Sequence, residues 1–360
     1  MVLPLAKYSL RRKAQRETLP TAASPFCLAG MSLRLSHRTY RRPLRPPLRT
    51  AHGLWTERGG LLLRTEREDG RIGWGEVAPL PWFGTETLAE AVEVVAKLGD
   101  EVDEEVLARV PARFGCVRFG LAMAMEPDRV ATVPDGRLPV AALLPAGREV
   151  LAELPVKLAA GYLAFKWKVG VGRAEEELPL LDDILAQLPA YAKLRLDANG
   201  AWTLRDAARW LERCAERPVE FVEQPVRAAD ALLGLAQDYP VTLALDESVA
   251  GLAAAREWQA RGWRGVFVMK PALAGPLPEL VAWAQETKPD LVFSSAIESA
   301  LARAQILRTV FAGKLTHRPL GFGVGGIFGD AAWDGPATGP LIDAGWCDRV
   351  NPEALWNDAS

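Results

Sequence analysis

From residue 138 onward the chain alternates short apolar or β-branched runs with longer amphipathic segments, and eight such runs follow one another. They occupy 138–144, 162–169, 192–198, 219–225, 241–247, 265–271, 291–297 and, more weakly, 313–321. Between them, segments such as 173–188, 203–217 and 279–289 carry apolar residues at i, i+3, i+4 and i+7, the stripe of a helix packed on one side. Strands separated by helices pair in parallel, because the crossover helix returns the chain to the same end of the sheet. Eight evenly spaced units predict an α/β fold of the TIM type, a (β/α)8 barrel, over a doubly wound open sheet.

In a barrel, alternate residues face the lumen and the helix layer, and the C-terminal strand ends converge on one mouth. The stretch AFKWKVG, residues 164–170, therefore points Lys166 and Lys168 one way and Phe165, Trp167 and Val169 the other. Lys168, Asp197, Glu223, Asp246 and Lys270 end consecutive runs at intervals of 23 to 29 residues, and Arg195 lies one inward step below Asp197. A lone charge at a strand end is ordinarily a solvated loop residue. Five in succession, each closing an apolar run, gather three carboxylates between amines at one mouth. Such carboxylates repel unless a counter-ion joins them.

A hard divalent cation resolves that repulsion, and Mg²⁺ suits three carboxylate ligands with open positions. Histidine occurs only at 37, 52 and 317, and cysteine at 27, 116, 214 and 347 with no CxxC spacing. Neither a zinc site nor a disulfide framework is implied. The chemistry that fits is removal of a proton beside a carboxylate. A lysine partly buried next to a cation is brought toward neutrality and can serve as base. Lys168 is the candidate, with Lys166 placed to help and Lys270 across the mouth.

Composition narrows the classes of function. The 360 residues are 49% hydrophobic and 24% charged with a formal net charge of −2, the profile of a soluble globular protein with no electrostatic case for a nucleic-acid partner. No apolar run reaches the ~18 residues of a membrane span. The cysteine usage fits a reducing cytosol, so a cytoplasmic protein is expected. The first 50 residues are basic, with Glu17 their only acid. Residues 1–30 read as a disordered extension, or as sequence ahead of a true start at Met31, with an organelle transit peptide as the alternative.

Taken together, Lys-x-Lys, Asp, Glu, Asp and Lys on strands two to six resemble the muconate-cycloisomerase subgroup of the enolase superfamily. Upstream, GRIGWGEVAPLPWFGTETL (70–88) is similar to the α+β capping domain of that subgroup, whose loops close over the barrel mouth. The resemblance implies a capping domain at 31–133, completed by residues 322–360, and a barrel at 134–321. Within the subgroup, GWGEVAPLPWF, FKWKVG, RLDANGAW, VEQP, LDES, VMKPALAG and SSAIESALA resemble the motifs of the o-succinylbenzoate synthase family.

That family dehydrates a cyclohexadiene hydroxy-acid, SHCHC, to o-succinylbenzoate in menaquinone or phylloquinone biosynthesis. The resemblance implies a hydro-lyase acting on a small carboxylate. Lys168 would take the α-proton and return it to the leaving hydroxyl, and Lys270 would stabilise the enediolate from the other face. Asp197, Glu223 and Asp246 would hold Mg²⁺, with Mn²⁺ as a substitute. Ser294 and Ser295 would hold the succinyl carboxylate, with Arg195 and Asn199 in support. N-succinylamino-acid racemases and muconate cycloisomerases share the same lysines and acids. Dipeptide epimerases place an Asp-x-Asp pair where this chain reads THRPLGFG, without an acid. A non-catalytic binding barrel would not need the whole charged set. Gly321, Gly323 and Gly326 match GxGxxG. They follow the last strand instead of opening a βαβ unit, which makes them a loop near the mouth.

Overall fold

The computed structural model describes residues 32–50, 53–126 and 133–359. Expectations about residues 1–30 fall outside these residues. Among the described residues no helix is long and apolar enough to cross a membrane.

The N-terminal part is a four-stranded antiparallel sheet in the order Ile72–Val77, Gly53–Glu66, Leu33–Thr50, Glu101–Val102. Helix Leu88–Leu98 begins at a capping box, with Thr87 accepting from the Glu90 N–H while the Glu90 carboxylate accepts from the Thr87 N–H. Helix Gly115–Met125 lies close against the sheet because two glycines leave room for its backbone. A Cβ on Gly75 would come 2.0 Å from the Gly120 carbonyl oxygen, and one on Gly73 would come 1.9 Å from that of Ala124. This sheet with its helices is the α+β capping domain.

The barrel sheet is parallel and has seven strands in sequential order: Ala142–Leu144, Ala164–Lys168, Lys193–Asp197, Val219–Glu223, Leu243–Leu245, Val266–Met269 and Leu291–Phe293. The eighth strand expected at 313–321 is not formed. Helix Ala300–Gly313 runs to Gly313, Lys314 turns left-handed, and only Leu320 and Gly321 reach the sheet. Those two residues close the ring by bridging Val140 on one side and Ser294 on the other. The expected first strand is also divided, since Arg137–Pro139 pairs antiparallel with Leu341–Asp343.

Alternation along the second strand is as the sequence implied. Phe165, Trp167 and Val169 are buried, and Trp167 meets Trp210 of helix Leu204–Cys214 at 6.1 Å between ring centroids. Lys166 and Lys168 face the lumen and line its cavity. Below the mouth the lumen is filled by Phe221, Ala244, Val266, Val268 and Val292, a packed core and not a pore. The C-terminal segment folds back on the capping sheet: Trp333 packs on Tyr40 at 4.7 Å, and Arg38 donates to the Trp356 carbonyl at 2.7 Å.

Gly75→Ala is expected to destabilise the chain by about 1–3 kcal/mol, since the helix backbone must move to admit the methyl group. Urea unfolding checks this, and an unchanged midpoint would contradict the close approach.

Candidate active site

Hydrogen-bond register builds the site. Lys168 pairs across the ladder with Asp197, and Asp197 with Glu223. Glu223 pairs with Ala244, two residues before Asp246. Lys270 follows the sixth strand directly. The cavity above them holds about 320 Å³, and Lys166, Lys168, Asp197, Asp246 and Lys270 line it. Glu223 lies just beneath and is buried.

Lys166 Nζ stands between Asp197 Oδ2 at 2.8 Å and Glu223 Oε1 at 2.6 Å. Lys270 pairs with Asp246 and sits 4.1 Å over the Phe83 ring. No three Asp, Glu, His or Cys side chains among the described residues are spaced as ligands of one ion. The physical reason is the two ammonium groups, which draw the carboxylates to themselves. The donor chemistry still fits a hard divalent cation, being three buried carboxylates with no imidazole or thiolate among them.

Electrostatics agree with this crowding. Burial opposes the charge of Lys166, yet Asp197, Glu223 and Asp246 outweigh it and hold its pKa well above the usual lysine value. Glu223 is pushed well up, first by burial and then by the Asp197 charge, against the pull of Lys166. Lys166 sees three opposite charges that overcome its burial, whereas for Glu223 burial and two like charges outweigh the pull of Lys166 and Lys270. Lys166 is therefore a fixed ammonium. Lys168, by contrast, makes no side-chain hydrogen bond or ion pair found among the described residues.

Two residues that sequence reasoning passed over complete the site. Gln224 is buried and left-handed at φ 40°. It donates to Ser248 Oγ and the Val226 carbonyl, and its own oxygen accepts from the Asp246 and Ser248 N–H groups. It thereby fixes the fifth strand end against the fourth. Glu247 is a fourth acid at the cavity, accepting from Asn199 Nδ2 at 3.1 Å. Burial, then the charges of Asp246 and Asp197, raise it to about 7. Their only sequence signal was adjacency, in EQP and LDES.

The remaining expected residues divide. Asn199 lines the cavity, and its N–H donates to Asp197 Oδ1 at 3.1 Å. Ser294 also lines it, with a long 3.3 Å contact to the Gly321 carbonyl. Ser295 borders the cavity, but its hydroxyl is taken up by its own loop. It donates to Glu298 at 3.0 Å and accepts from the Ile297 N–H at 2.9 Å. Arg195 does not line the cavity; its Nε donates to Glu220 at 2.6 Å and its Nη1 to the Pro319 carbonyl at 2.9 Å, a network that includes Arg318. A register shift between Leu194 and Arg195 brings Glu220 within its reach.

Residues 39–127 match the family model described as MenC, N-terminal domain, and residues 149–310 match that described as Enolase C-terminal domain-like. An o-succinylbenzoate synthase of Thermosynechococcus vestitus is 41% identical over 304 residues, covering 81% of this chain and 92% of the relative. The chain belongs to the o-succinylbenzoate synthase family. A second member, from Edwardsiella ictaluri, is 31% identical and covers 84% of this chain and 88% of its own length. The solved o-succinylbenzoate synthase of Thermosynechococcus elongatus BP-1, described with Mg in its active site, superposes with a TM-score of 0.80. It shares 38% identity, over 91% of this chain and 100% of its own. Family membership carries the enolase-superfamily architecture of barrel and cap, as the fold displays.

Proposed function

We propose that the chain is a Mg²⁺-dependent o-succinylbenzoate synthase, eliminating water from SHCHC in quinone biosynthesis. The observation that carries the reading is the pair of lysines. Lys168 and Lys270 line one cavity from the second and sixth strands, four places apart in a ring of eight positions. A substrate lying between them presents one face to each.

The division of labour follows from their partners. Lys166 is held as an ammonium by Asp197 and Glu223, so it cannot accept a proton. That leaves Lys168, with no acidic partner found among the described residues, as the base. Lys168 Nζ takes the α-proton, and the electron pair passes into the substrate carboxylate as an enediolate. The same ammonium then gives its proton to the departing hydroxyl, which leaves as water. Lys270, fixed by Asp246 and the Phe83 ring, offers a positive charge to the enediolate from the other side.

Asp197, Glu223 and Asp246 would hold Mg²⁺, or Mn²⁺ in its place, and the bound cation would supply charge stabilisation to the carboxylate oxygens. Asn199 orients Asp197 through its backbone N–H. Ser294, exposed to the cavity, is the hydroxyl left to meet a distal carboxylate. Leu80, Trp82 and Phe83 of the cap give the site an apolar wall. We place the cap at 31–133 with 322–360 and the barrel at 134–321.

Lys168→Ala is expected to lower SHCHC turnover by roughly 10²–10⁴-fold or more and to stop exchange of the α-proton in heavy water. Lys270→Arg keeps a cation of different shape, so it slows turnover and leaves some exchange. Normal turnover by Lys168→Ala would sink the mechanism. Exchange that needs both lysines, with N-succinyl amino acids as the better substrates, would favour a racemase.

Chelation supplies a second check. EDTA should abolish turnover, and added Mg²⁺ or Mn²⁺ should restore it while raising the thermal midpoint, because a ligand that binds only the folded state stabilises it. Full activity after exhaustive chelation would contradict the role given to the three acids.

A further inference from the structure

One cavity wall is held by an arginine whose hydrogen bonds run to backbone carbonyls. Arg58 is 2% exposed, and no ion pair to it is found among the described residues. Its guanidinium is spent on backbone carbonyls from two parts of the chain. In the cap, Nη2 donates to Ala78 at 2.5 Å and Nη1 to Pro79 at 2.7 Å and Gly59 at 3.1 Å. In the seventh strand's loop, Nε donates to Ile297 at 3.0 Å, with Nη2 at 3.5 Å from the Ala296 oxygen. Carbonyls 78 and 79 are the root of the segment that presents Leu80, Trp82 and Phe83 to the cavity, and Ala296 and Ile297 line it themselves.

Ile297 stands at φ 58°. A β-branched residue is seldom found there, because its side chain crowds the backbone. Such a conformation persists only where the surroundings over-determine it. Here Arg58 holds the Ile297 carbonyl and Ser295 Oγ holds its N–H at 2.9 Å. Glu298 accepts from the Ala296 N–H at 2.6 Å. Glu298 is itself buried beside Arg303, which donates to its carbonyl at 3.1 Å. The next residue, Ser299, donates its N–H to buried Glu76 of the cap at 3.0 Å. The N–H groups of Ala296, Ile297 and Ser299 and the carbonyls of Ile297 and Glu298 are thus tied down, and the ties reach across the seam between barrel and cap.

We propose that Arg58 is a positioning residue for turnover. It holds Ile297 in its left-handed conformation and joins that wall to the root of the Leu80–Phe83 segment, so the apolar part of the substrate meets one preset surface. The inference rests on the dehydratase reading above, and it adds a residue that never touches substrate. A lysine at 58 would keep the charge but lose the fork that reaches both sets of carbonyls.

Steady-state kinetics with SHCHC and thermal unfolding, applied to the full chain, test this. Arg58→Lys is expected to lower kcat/KM by roughly 10–100-fold, the scale of an ångström of misplacement. Ile297→Gly removes the wall and frees the backbone, so KM should rise while the thermal midpoint is kept or raised. In the Ile297→Gly background, Arg58→Lys should cost clearly less than it does alone, because the arginine acts through that wall. Unchanged kinetics in Arg58→Lys would overturn the proposal. So would an Ile297→Gly chain that loses stability but keeps its KM, since that is the mark of plain packing. If Arg58→Lys does not fold, the Ile297→Gly result decides alone. Wild-type turnover in the same assay separates the two claims. Its absence overturns the proposed activity and this inference with it, whereas wild-type turnover with unaltered variants overturns only the role of Arg58.

Discussion

Lys166 is the residue on which the rest of the site depends. Three carboxylates at one barrel mouth, buried and close, would repel one another without a neighbouring positive charge. The ladder gives them no choice of position, because register pairs Lys168 with Asp197 and Asp197 with Glu223. A lysine one inward step below Lys168 meets two of the three acids at once. Its spacing from Lys168 is set by strand alternation alone. One neighbour is thereby fixed as a cation, and the other is left free to move a proton.

The cap contributes by buried polar contact as well as by apolar wall. Glu76 on the capping sheet accepts from Tyr40 and from the backbone N–H of Ser299 beyond the seventh strand. Burial first, then the Glu76 charge, drive the Tyr40 hydroxyl well above its usual pKa, so it stays a donor. Buried polar groups of this kind are costly if any partner is missing. The seam is therefore closed in one arrangement, and the cavity walls drawn from cap and barrel hold a defined relation.

Much of this was legible in the residues. Alternation in AFKWKVG gave the two faces of the second strand, and the recurrence of one charge per unit gave the mouth. Strand-end charges are readable because both facts are local. What escaped depended on distant partners. The segment 313–321 has the composition of a strand, but the preceding helix consumes its start and only Leu320 and Gly321 reach the sheet. Arg195 points inward as alternation demands, yet a register shift supplies Glu220 as its partner and takes it away from the cavity. The bond from the Ser295 hydroxyl to Glu298, three residues on, was equally invisible in the residues. Arg58 gave no signal at all, since its partners are carbonyls, which every residue has.

Lys166 neutralises Asp197 and Glu223, so a divalent cation must compete with it for those oxygens. Calorimetric titration of Mg²⁺ into Lys166→Met, beside the wild-type chain, measures that competition directly. With the ammonium removed, binding should tighten, by roughly tenfold or about 1.4 kcal/mol. Affinity that is unchanged or weaker in Lys166→Met would contradict it.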